Sequence, residues 1–336
     1  MLNFGIIGCG RIAARHAEEI SKMGKLVAVC DTDESKLSTF SEKYNAQAYP
    51  NISALLSREK NIDLIAVCTP NYLHATHTIA CFEHGFHVLC EKPMAINISD
   101  CMQMMQAGES AGKELFIVKQ NRFNPPVIAV KNLLNENKLG IVYSVHLSCI
   151  WNRDASYYEN TWRGKKEMDG GILYTQFSHF IDLLYWMFGD VQYVKAFTSN
   201  FSHRGIIEFE DAGVACLAFK SGALGSIHFT VNSYQKNMEG SLTIVAEKGT
   251  VKIGGEYLNN LEYQQMEGPA IENLPGGNSA NDYGSYKGSM SNHHLVYEHV
   301  SDVLTKGIHN QFGGAYGLKT VEIIEKIYRA ADETVA

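Results

Sequence analysis

The sequence predicts an α/β domain with a parallel, doubly wound sheet, followed by an α+β domain with an open, mostly antiparallel sheet. In the first 120 residues, short apolar runs alternate with amphipathic helical stretches, which is typical of a parallel sheet covered on both faces. Between residues 191 and 262, strand-like runs follow one another closely with Gly-containing turns between them. Such runs are typical of an antiparallel sheet.

The predicted strands of the first domain are, in order, NFGIIG, LVAVCD, a weak AQAY, DLIAVCT, HVLCE and ELFIVK. Amphipathic stretches such as RIAARHAEEISKM and SKLSTFSEKY lie between them and predict helices. Gly85 is the expected stop of a helix over residues 72–84. Ser99 is the expected N-cap of the Met-rich helix that follows.

The alternation of strands and helices stops after QNRF at residues 120–123. We therefore expect a first domain over residues 1–122 and a second over residues 123–336. The second domain is predicted to open with a helix at Asn124-Pro125-Pro126, because a cap residue precedes proline in the first turn. That helix should extend to about residue 138.

A strand around YSVHLSCIW, a polar loop over residues 152–169 and an apolar helix that begins GGILYTQFSHFID come next. After the antiparallel strands, residues 264–291 are rich in Gly, Ser and Asn and are predicted to be irregular. Two helices, over residues 293–306 and 316–333, are expected to close the chain.

Composition narrows the class of protein. Of 336 residues, 45% are hydrophobic and 19% charged, as in ordinary globular proteins, and the net charge of −7 argues against nucleic acid as a partner. No apolar run approaches the roughly 20 residues of a membrane span, and the N-terminus lacks the features of a secretory signal. The eight cysteines are scattered without a CxxC pair, so we expect reduced thiols and a cytoplasmic location.

The segment Gly8-Cys9-Gly10-Arg11-Ile12-Ala13 matches GxGxxA, directly after the first strand and at the start of the first helix. Its glycines permit a tight turn and let backbone N–H groups approach a pyrophosphate. Asp31 ends the second strand, where a carboxylate binds adenosine ribose hydroxyls. Because Asp31 would repel a 2′-phosphate and no arginine follows it, the sequence predicts a Rossmann site for NAD.

Two further strand ends carry polar residues. Thr69-Pro70-Asn71 follows one apolar strand and Glu91-Lys92-Pro93 follows the next. Such loops line the ligand crevice of a parallel sheet, which places Lys92 at the site, although a lysine there is commonly just solvated. His74 and His77 are spaced like metal ligands but lack acidic or cysteine partners, so we expect no metal.

GCGRIA, the TPN loop, the EKP segment and GGILYTQFSHFID together resemble the Gfo/Idh/MocA oxidoreductases over nearly the whole chain. The resemblance implies that Lys92 and His179 flank the sugar carbon that exchanges hydride with nicotinamide. The aspartate that this family usually carries in the helix motif falls at Thr175, so no role of that carboxylate is transferred. The expected cofactor-binding residues are Gly8, Gly10, Arg11, Ile12, Asp31, Thr69, Pro70, Asn71, His74, Glu91, Lys92, Gln120, Trp162 and Arg163.

QNRFNP at residues 120–125, WNRD at 151–154, WRG at 162–164 and TQFSHF resemble a narrower branch. Its members are bacterial UDP-N-acetyl-2-amino-2-deoxy-glucuronate 3-dehydrogenases, which oxidise the 3-hydroxyl of UDP-N-acetyl-glucosaminuronic acid. The 3-keto sugar is then transaminated on the way to surface polysaccharide. The resemblance implies the same NAD-dependent reaction here, and some relatives recycle NADH with a 2-keto acid.

Helical spacing places Thr175, His179 and Asp182 on one face of an otherwise apolar helix. A lone histidine on such a helix is more often a core residue, and the resemblance makes His179 catalytic instead. His179 is the better general base because histidine titrates near 6.5 and lysine near 10.4. Lys92 would then polarise the reacting oxygen, although the two roles are exchangeable on sequence alone.

Arg153, Arg163, Lys165 and Lys166 make the polar loop basic in an acidic protein, which suits phosphate and carboxylate oxygens. The alternatives are a solvated loop, or contact of Trp162 and Arg163 with the nicotinamide side. The expected substrate-binding residues are Lys92, Arg122, Asn152, Arg153, Arg163, Lys165, Thr175, Gln176 and His179.

Two other functions remain open. An inositol or free-hexose dehydrogenase would keep Lys92 and His179 but has no use for the basic loop. A non-catalytic NAD-binding sensor would not need either residue. The second domain is expected to bind the substrate. The free face of its open sheet needs a cover, so this domain is also expected to build a homo-oligomer, with a homotetramer favoured.

Overall fold

The computed structural model describes residues 1–282, 284 and 286–335. They form two compact units, of which the first comprises Met1–Val118 and His293–Val321. The second comprises Lys119–Asn292 and the chain from Glu322 onward. This division differs from the single boundary predicted after residue 122, because a C-terminal helix packs on the first helix of the first unit. Local patterns along the chain do not reveal such a return.

Strands and helices alternate strictly up to residue 117. They are β1 (Leu2–Ile7), α1 (Arg11–Met23), β2 (Gly24–Cys30), α2 (Glu34–Tyr44), β3 (Gln47–Tyr49), α3 (Ile52–Arg58), β4 (Leu64–Val67), α4 (His74–Glu83), β5 (His87–Cys90), α5 (Ile98–Ala111) and β6 (Leu115–Ile117).

The six strands form one parallel sheet in the order β3-β2-β1-β4-β5-β6. All four residues of β4 are buried, as expected for a strand with helices on both faces. The strand order reverses between β1 and β4, where ligands of open α/β sheets bind. The predicted doubly wound sheet is confirmed.

The start of α5 corrects one predicted cap. The N-cap is Asn97, whose side chain accepts a hydrogen bond from the backbone N–H of Asp100. Ser99 lies inside the helix. Asn97 has an extended backbone and a side-chain oxygen that reaches the first turn, which is the arrangement a cap requires.

The remaining elements are mostly strands. They are α6 (Pro125–Asn135), β7 (Val142–Ile150), α7 (Ala155–Tyr158), α8 (Lys166–Asp169), α9 (Ile172–Thr175), α10 (Ser178–Phe188), β8 (Val191–Ser199), β9 (Ala212–Phe219), β10 (Leu224–Thr230), β11 (Glu239–Ala246), β12 (Gly249–Gly254), β13 (Asn260–Met266), β14 (Ala280–Asp282), β15 (Lys287–Met290), α11 (His293–Lys306) and α12 (Gly314–Val335).

The second unit contains a seven-stranded sheet in the order β13-β12-β11-β7-β10-β9-β8. Only β7 and β10 pair in parallel, so the sheet is mixed and largely antiparallel, as predicted. Helix α10 packs on one face, where the ring of Phe180 lies so close to Gly240 of β11 that a Cβ atom there would overlap it. The segment predicted to be irregular contains the short β14–β15 pair.

The apolar helix predicted after Gly170-Gly171 is interrupted. Both glycines have positive φ, +89° and +126°, and a Cβ atom on Gly171 would overlap the Tyr328 hydroxyl. Helix α9 then ends at Thr175 and α10 starts at Ser178. The absence of a side chain at Gly171 makes room for Tyr328, which packs against this turn. Within the described residues, no helix is long and apolar enough to cross a bilayer.

Candidate active site

The loop between β1 and α1 has the geometry of a phosphate cradle. Gly8 has φ of +93°, and a Cβ atom there would lie 2.8 Å from the Cys68 carbonyl oxygen, so only glycine fits. A Cβ atom on Gly10 would meet no atom within 4 Å. The backbone at Gly10 therefore faces open space at the positive end of α1, which fits the close approach of a pyrophosphate.

Asp31 lies beside this loop. Its Oδ2 accepts the backbone N–H of Cys9 at 2.6 Å, and its Oδ1 accepts that of Asp33 at 2.8 Å. These bonds hold the carboxylate next to the glycine loop, where the adenosine ribose of a dinucleotide lies in such folds. Together, Gly8, Gly10 and Asp31 fit a dinucleotide with an unphosphorylated ribose.

His74 ties together the loops that follow β4 and β5. The side chain is 1% exposed, with Nδ1 2.7 Å from the Pro93 carbonyl oxygen and Nε2 2.8 Å from that of Thr69. Burial lowers the pKa of His74, and the neutral ring donates to one of these two oxygens. Both ring nitrogens thus face the protein's own backbone. Nearby, His77 Nδ1 lies 3.2 Å from the Thr69 hydroxyl, and Asn71 is buried.

The Glu91-Lys92-Pro93 segment follows β5 directly, and its Lys92–Pro93 peptide is cis. The Lys92 amide donates to Glu91 Oε2 at 3.0 Å, and His16 Nε2 lies 2.9 Å from Glu91 Oε1. Burial would raise the pKa of Glu91, but contacts with His16 and His293 outweigh it and hold this pKa well below its usual range. Lys92 therefore follows an ionised, buried carboxylate.

His179 lies in the first turn of α10 and is 2% exposed. Thr175 lies in α9, so the prediction that Thr175, His179 and Asp182 share one face of a single helix is wrong. The Thr175 hydroxyl contacts the carboxylate of Asp169, whose Oδ2 accepts the Gly164 N–H at 2.8 Å. Asp169 thus anchors both the polar loop and the start of this helical region.

Asp182, one turn further along α10, is paired with two buried cations. Lys119 Nζ lies 2.8 Å from Oδ1, and Arg122 contacts both oxygens at 2.7 and 2.8 Å. Burial would raise the pKa of Asp182, but the two cations outweigh it and hold this pKa well below its usual range. Arg122 also lies 5.1 Å over the Trp186 ring. This pairing favours a structural role for Arg122 over the predicted substrate contact.

Arg153 and Arg163 lie against the same tyrosine. Their guanidinium carbons are 5.3 and 4.9 Å from the centre of the Tyr157 ring, and Arg153 is also 4.8 Å from that of Tyr286. The hydroxyl of Tyr157 accepts a hydrogen bond from Gln176 Nε2 at 3.3 Å. Among the described residues, neither guanidinium has a carboxylate within ion-pair distance. We call Arg153, Tyr157, Arg163, Gln176 and Tyr286 the arginine–tyrosine cluster.

The other expected site residues of the second unit surround this cluster or lie apart from it. Asn152 donates from its backbone to Asn237 Oδ1 at 2.9 Å and from its amide to the Ser233 carbonyl oxygen. Trp162 lies 5.1 Å from the Arg163 guanidinium, whereas Lys165 is exposed at the N-cap of α8. Gln120 is 4% exposed in the turn after β6.

Residues 2–119 match the family model described as "Oxidoreductase family, NAD-binding Rossmann fold", and residues 127–252 match "GFO/IDH/MocA C-terminal domain". The chain belongs to the Gfo/Idh/MocA family. The protein is therefore an oxidoreductase with an NAD-binding Rossmann domain, and the prediction of NAD as cofactor is confirmed.

Two solved structures and one curated relative illustrate this membership. The chain is 35% identical to the WlbA dehydrogenase of Bordetella pertussis in complex with NADH and UDP-GlcNAcA, with a TM-score of 0.90 over 99% of this chain and 97% of that one. The corresponding complex from Chromobacterium violaceum is also 35% identical, with a TM-score of 0.91 over 99% and 94%. A myo-inositol 2-dehydrogenase from Thermotoga maritima is 30% identical over 67% of each chain.

Three residues of these arrangements in this Gfo/Idh/MocA protein, Asp169, Tyr157 and His16, were not predicted from the sequence. Asp169 is buried and Tyr157 is half-buried in a stretch that the polar composition marked as a loop. The signal for Asp169 was its position directly before two glycines. His16 had only its place on the buried face of α1 as a signal, and that is ordinarily the mark of a core residue.

Proposed function

We propose that this enzyme oxidises the C3 hydroxyl of UDP-N-acetyl-glucosaminuronic acid to the 3-keto sugar in surface polysaccharide biosynthesis. The arginine–tyrosine cluster carries the proposal, because it holds two largely buried guanidinium groups for which no carboxylate of the described chain lies within ion-pair distance. Such groups suit an anionic ligand, and this substrate brings a diphosphate and a carboxylate. The likeness to two WlbA structures with UDP-GlcNAcA over nearly the full chain supports it.

In the proposed reaction, His179 accepts the proton of the C3 hydroxyl as the C3–H bond breaks and the C=O bond forms. Bound NAD supplies the acceptor for the hydride. The Lys92 ammonium donates a hydrogen bond to the reacting oxygen and stabilises its developing negative charge. Gly8, Gly10 and Asp31 hold the pyrophosphate and ribose of the dinucleotide. Arg153 and Arg163 bind anionic groups of the nucleotide sugar.

Substrate choice is tested by NADH formation with UDP-N-acetyl-glucosaminuronate, UDP-N-acetylglucosamine and myo-inositol. We expect turnover of the uronate and kcat/KM at least about tenfold lower for UDP-N-acetylglucosamine, which lacks one carboxylate. Preferred turnover of myo-inositol would contradict the proposal and favour the function of the Thermotoga maritima relative. Stoichiometric NAD binding without turnover of any sugar would favour a sensor.

The proposed roles of the two catalytic residues are tested by His179→Asn and Lys92→Ala. We expect His179→Asn to lower kcat by about 10²- to 10⁴-fold, because general base catalysis contributes that much. His84→Asn, a matched change at an exposed histidine after α4, should leave kcat unchanged. If His179→Asn kept wild-type kcat while Lys92→Ala lost it, Lys92 would be the base.

We also propose a homo-oligomer, with a homotetramer as the expected form. Tyr193, Phe197, Val214 and Leu224 lie on the face of the seven-stranded sheet opposite α10 and are 47–67% exposed. Large apolar side chains grouped on one exposed face of a sheet are typical of a protein interface. Phe197→Asp should lower the mass measured by light scattering, and an unchanged mass would place the interface elsewhere.

Two further expectations belong to this proposal. All eight cysteines are free thiols and seven are buried, which fits a reducing cytoplasm. A 2-keto acid is proposed to reoxidise NADH on the enzyme. Release of the corresponding 2-hydroxy acid in the presence of the uronate would support recycling, and a strict requirement for fresh NAD would oppose it.

A further inference from the structure

A group of polar side chains is buried in the first unit directly behind the Glu91-Lys92 turn. His16 comes from α1, Glu91 follows β5, and His293 and Tyr297 come from α11. Their exposed fractions are 0%, 5%, 1% and 0%. None of these side chains is a direct catalytic or substrate-binding group in the reaction proposed above. We call them the His16–Glu91 network.

The network is a continuous chain of hydrogen bonds. His16 Nε2 lies 2.9 Å from Glu91 Oε1, and His16 Nδ1 lies 2.7 Å from the Tyr297 hydroxyl. Because an ionised carboxylate only accepts, Nε2 carries the proton and donates to Glu91, and Nδ1 accepts the hydroxyl of Tyr297. Glu91 Oε2 accepts the backbone N–H of Lys92 at 3.0 Å. The chain therefore ends on the backbone of Lys92.

The surroundings make this arrangement specific. Tyr297 packs edge-on against Phe4 of β1 at 5.8 Å, and the ring of His293 lies 5.4 Å from that of His16. His293 Nε2 is 3.6 Å from Glu91 Oε1. A buried carboxylate is strongly destabilised unless it is hydrogen-bonded, whereas an apolar core of the same volume is often equally stable. The network is therefore not explained by stability alone. It is explained if Glu91 must be held in a fixed position.

We propose that His16 is a positioning residue, which orients Glu91 and, through it, the backbone of Lys92. The proposal rests on the role given above to the Lys92 side chain and extends it to residues that do not touch the substrate. Tyr297 sets the tautomer of His16, and His293 Nε2 lies near the same Glu91 oxygen that His16 contacts. The result is a backbone at Lys92 that is fixed before substrate binds.

A bound cation is the other chemistry that these residues could serve, since one atom each of His16, Glu91 and His293 lie within 4.8 Å of one another. Ligands about 2.0–2.2 Å from one tetrahedral zinc ion are roughly 3.4 Å apart. The 2.9 Å separation of His16 and Glu91 is that of a hydrogen bond instead. We therefore interpret the cluster as a hydrogen-bond network and make metal content an outcome of the test.

The test compares His16→Leu with His16→Gln in the full-length enzyme. Leucine removes the donor to Glu91, and glutamine places an amide N–H close to the position of Nε2. We expect His16→Leu to lower kcat about 10- to 100-fold with both KM values within about twofold, since small displacements at a reacting group have effects of this size. His16→Gln should recover most of kcat. The matched control is His87→Leu, at the opposite end of β5, where the ring accepts the Glu114 N–H and kcat should not change.

A second readout does not depend on the substrate. Hydrogen exchange of the Lys92 amide, measured without ligands, should speed up in His16→Leu and return towards wild type in His16→Gln. If no sugar is turned over, the proposed function fails, but hydrogen exchange of the Lys92 amide still tests whether His16 fixes the backbone of Lys92. Unchanged exchange, unchanged kcat in His16→Leu, no rescue by glutamine, or one equivalent of tightly bound zinc would each overturn the proposal. If His16→Leu does not fold, Tyr297→Phe replaces it. We expect this variant to have about threefold lower kcat and faster exchange of the Lys92 amide. If neither quantity changed, the proposal would be overturned.

Discussion

Two groups of buried cations in the second unit differ in what neutralises them. Lys119 and Arg122 share the carboxylate of Asp182 at 2.7–2.8 Å. Arg153 and Arg163 lie against the ring of Tyr157 and, among the described residues, have no carboxylate at ion-pair distance. The first group is complete without a ligand. The second has hydrogen-bonding capacity and charge left for one.

The counterion separates a structural arginine from one that is available to a ligand. A buried charge without a counterion is strongly destabilised, and stacking on an aromatic ring compensates for only part of that, about 0.5–2 kcal/mol. Arg122 was among the expected substrate-binding residues, but Asp182 already pairs with its charge. Arg153 and Arg163 keep theirs, which makes them the better candidates for an anion.

The largest effect is expected from removing the counterion of the first group. Asp182→Asn leaves Lys119 and Arg122 buried without a carboxylate, and we expect a loss of about 3–5 kcal/mol in the free energy of unfolding. Urea unfolding measures it. Asp154→Asn, a matched change at the exposed N-cap of α7, should cost at most about 1 kcal/mol. Equal losses for the two variants would mean that the pairing at Asp182 is not what stabilises this region.

Glu210 offers the reverse case, a buried carboxylate for which no ion pair is seen within the described part of the chain. It accepts hydrogen bonds from the Tyr328 hydroxyl and the Ile172 N–H, and burial raises its pKa from 4.5 to about 8. The folded state then holds a proton that the unfolded state has lost. Stability should therefore fall between about pH 4.5 and 8, by at most about 1.4 kcal/mol per pH unit.

Glu210→Gln cannot titrate and is the natural comparison for this pH dependence. Denaturant unfolding of both proteins between pH 5 and 8, about the window set by the two pKa values, should show a steeper decline for the wild type. Parallel curves would mean that Glu210 is ionised in the folded protein. Glu210 and Asp182 would then both be ionised in the folded protein, although only Asp182 is paired with cations among the described residues.

A smaller effect is expected from the second group, and it should fall on binding. Arg163→Met or Arg153→Met should raise KM for the uronate about tenfold or more, because a charge-assisted hydrogen bond to a ligand contributes about 1.5–3 kcal/mol. Melting temperature should change little, since no internal carboxylate loses its partner. Arg204→Met, at an exposed arginine that donates to the backbone carbonyl oxygen of Asn200, is the control. An unchanged KM for the uronate and for NAD would remove both arginines from the proposed site.

The first unit was largely predictable because its signals are local. Gly8, Gly10 and Asp31 are separated by fixed distances along a strand–turn–helix–strand segment, and each residue's type follows from one backbone constraint. The cap at Asn97 was misassigned to Ser99 because both residues suit the position and the sequence alone does not show where the chain leaves its extended conformation. Errors of this kind shift an element by a turn or less.

The arrangements of the second unit were less predictable because they join distant segments. Arg122 meets Asp182 sixty residues later in the chain, and Tyr157 of α7 meets Gln176, which lies in the interruption between α9 and α10. No periodicity in the sequence carries such pairs, since each depends on how strands and helices pack. The residues of the site could therefore be predicted from the sequence, whereas the residues that they contact could not.

The alternating sheet of the first unit, the NAD-binding loop and the family were predictable from the sequence, because all three depend on short motifs and on the spacing of apolar residues. Which charges have a counterion depends instead on how the folded chain packs. This packing paired Arg122 with Asp182, left Arg153 and Arg163 to aromatic rings, and buried His16 against Glu91. The physical reason is that burial and counterions are properties of the packed chain, and these set what a charged side chain is able to bind.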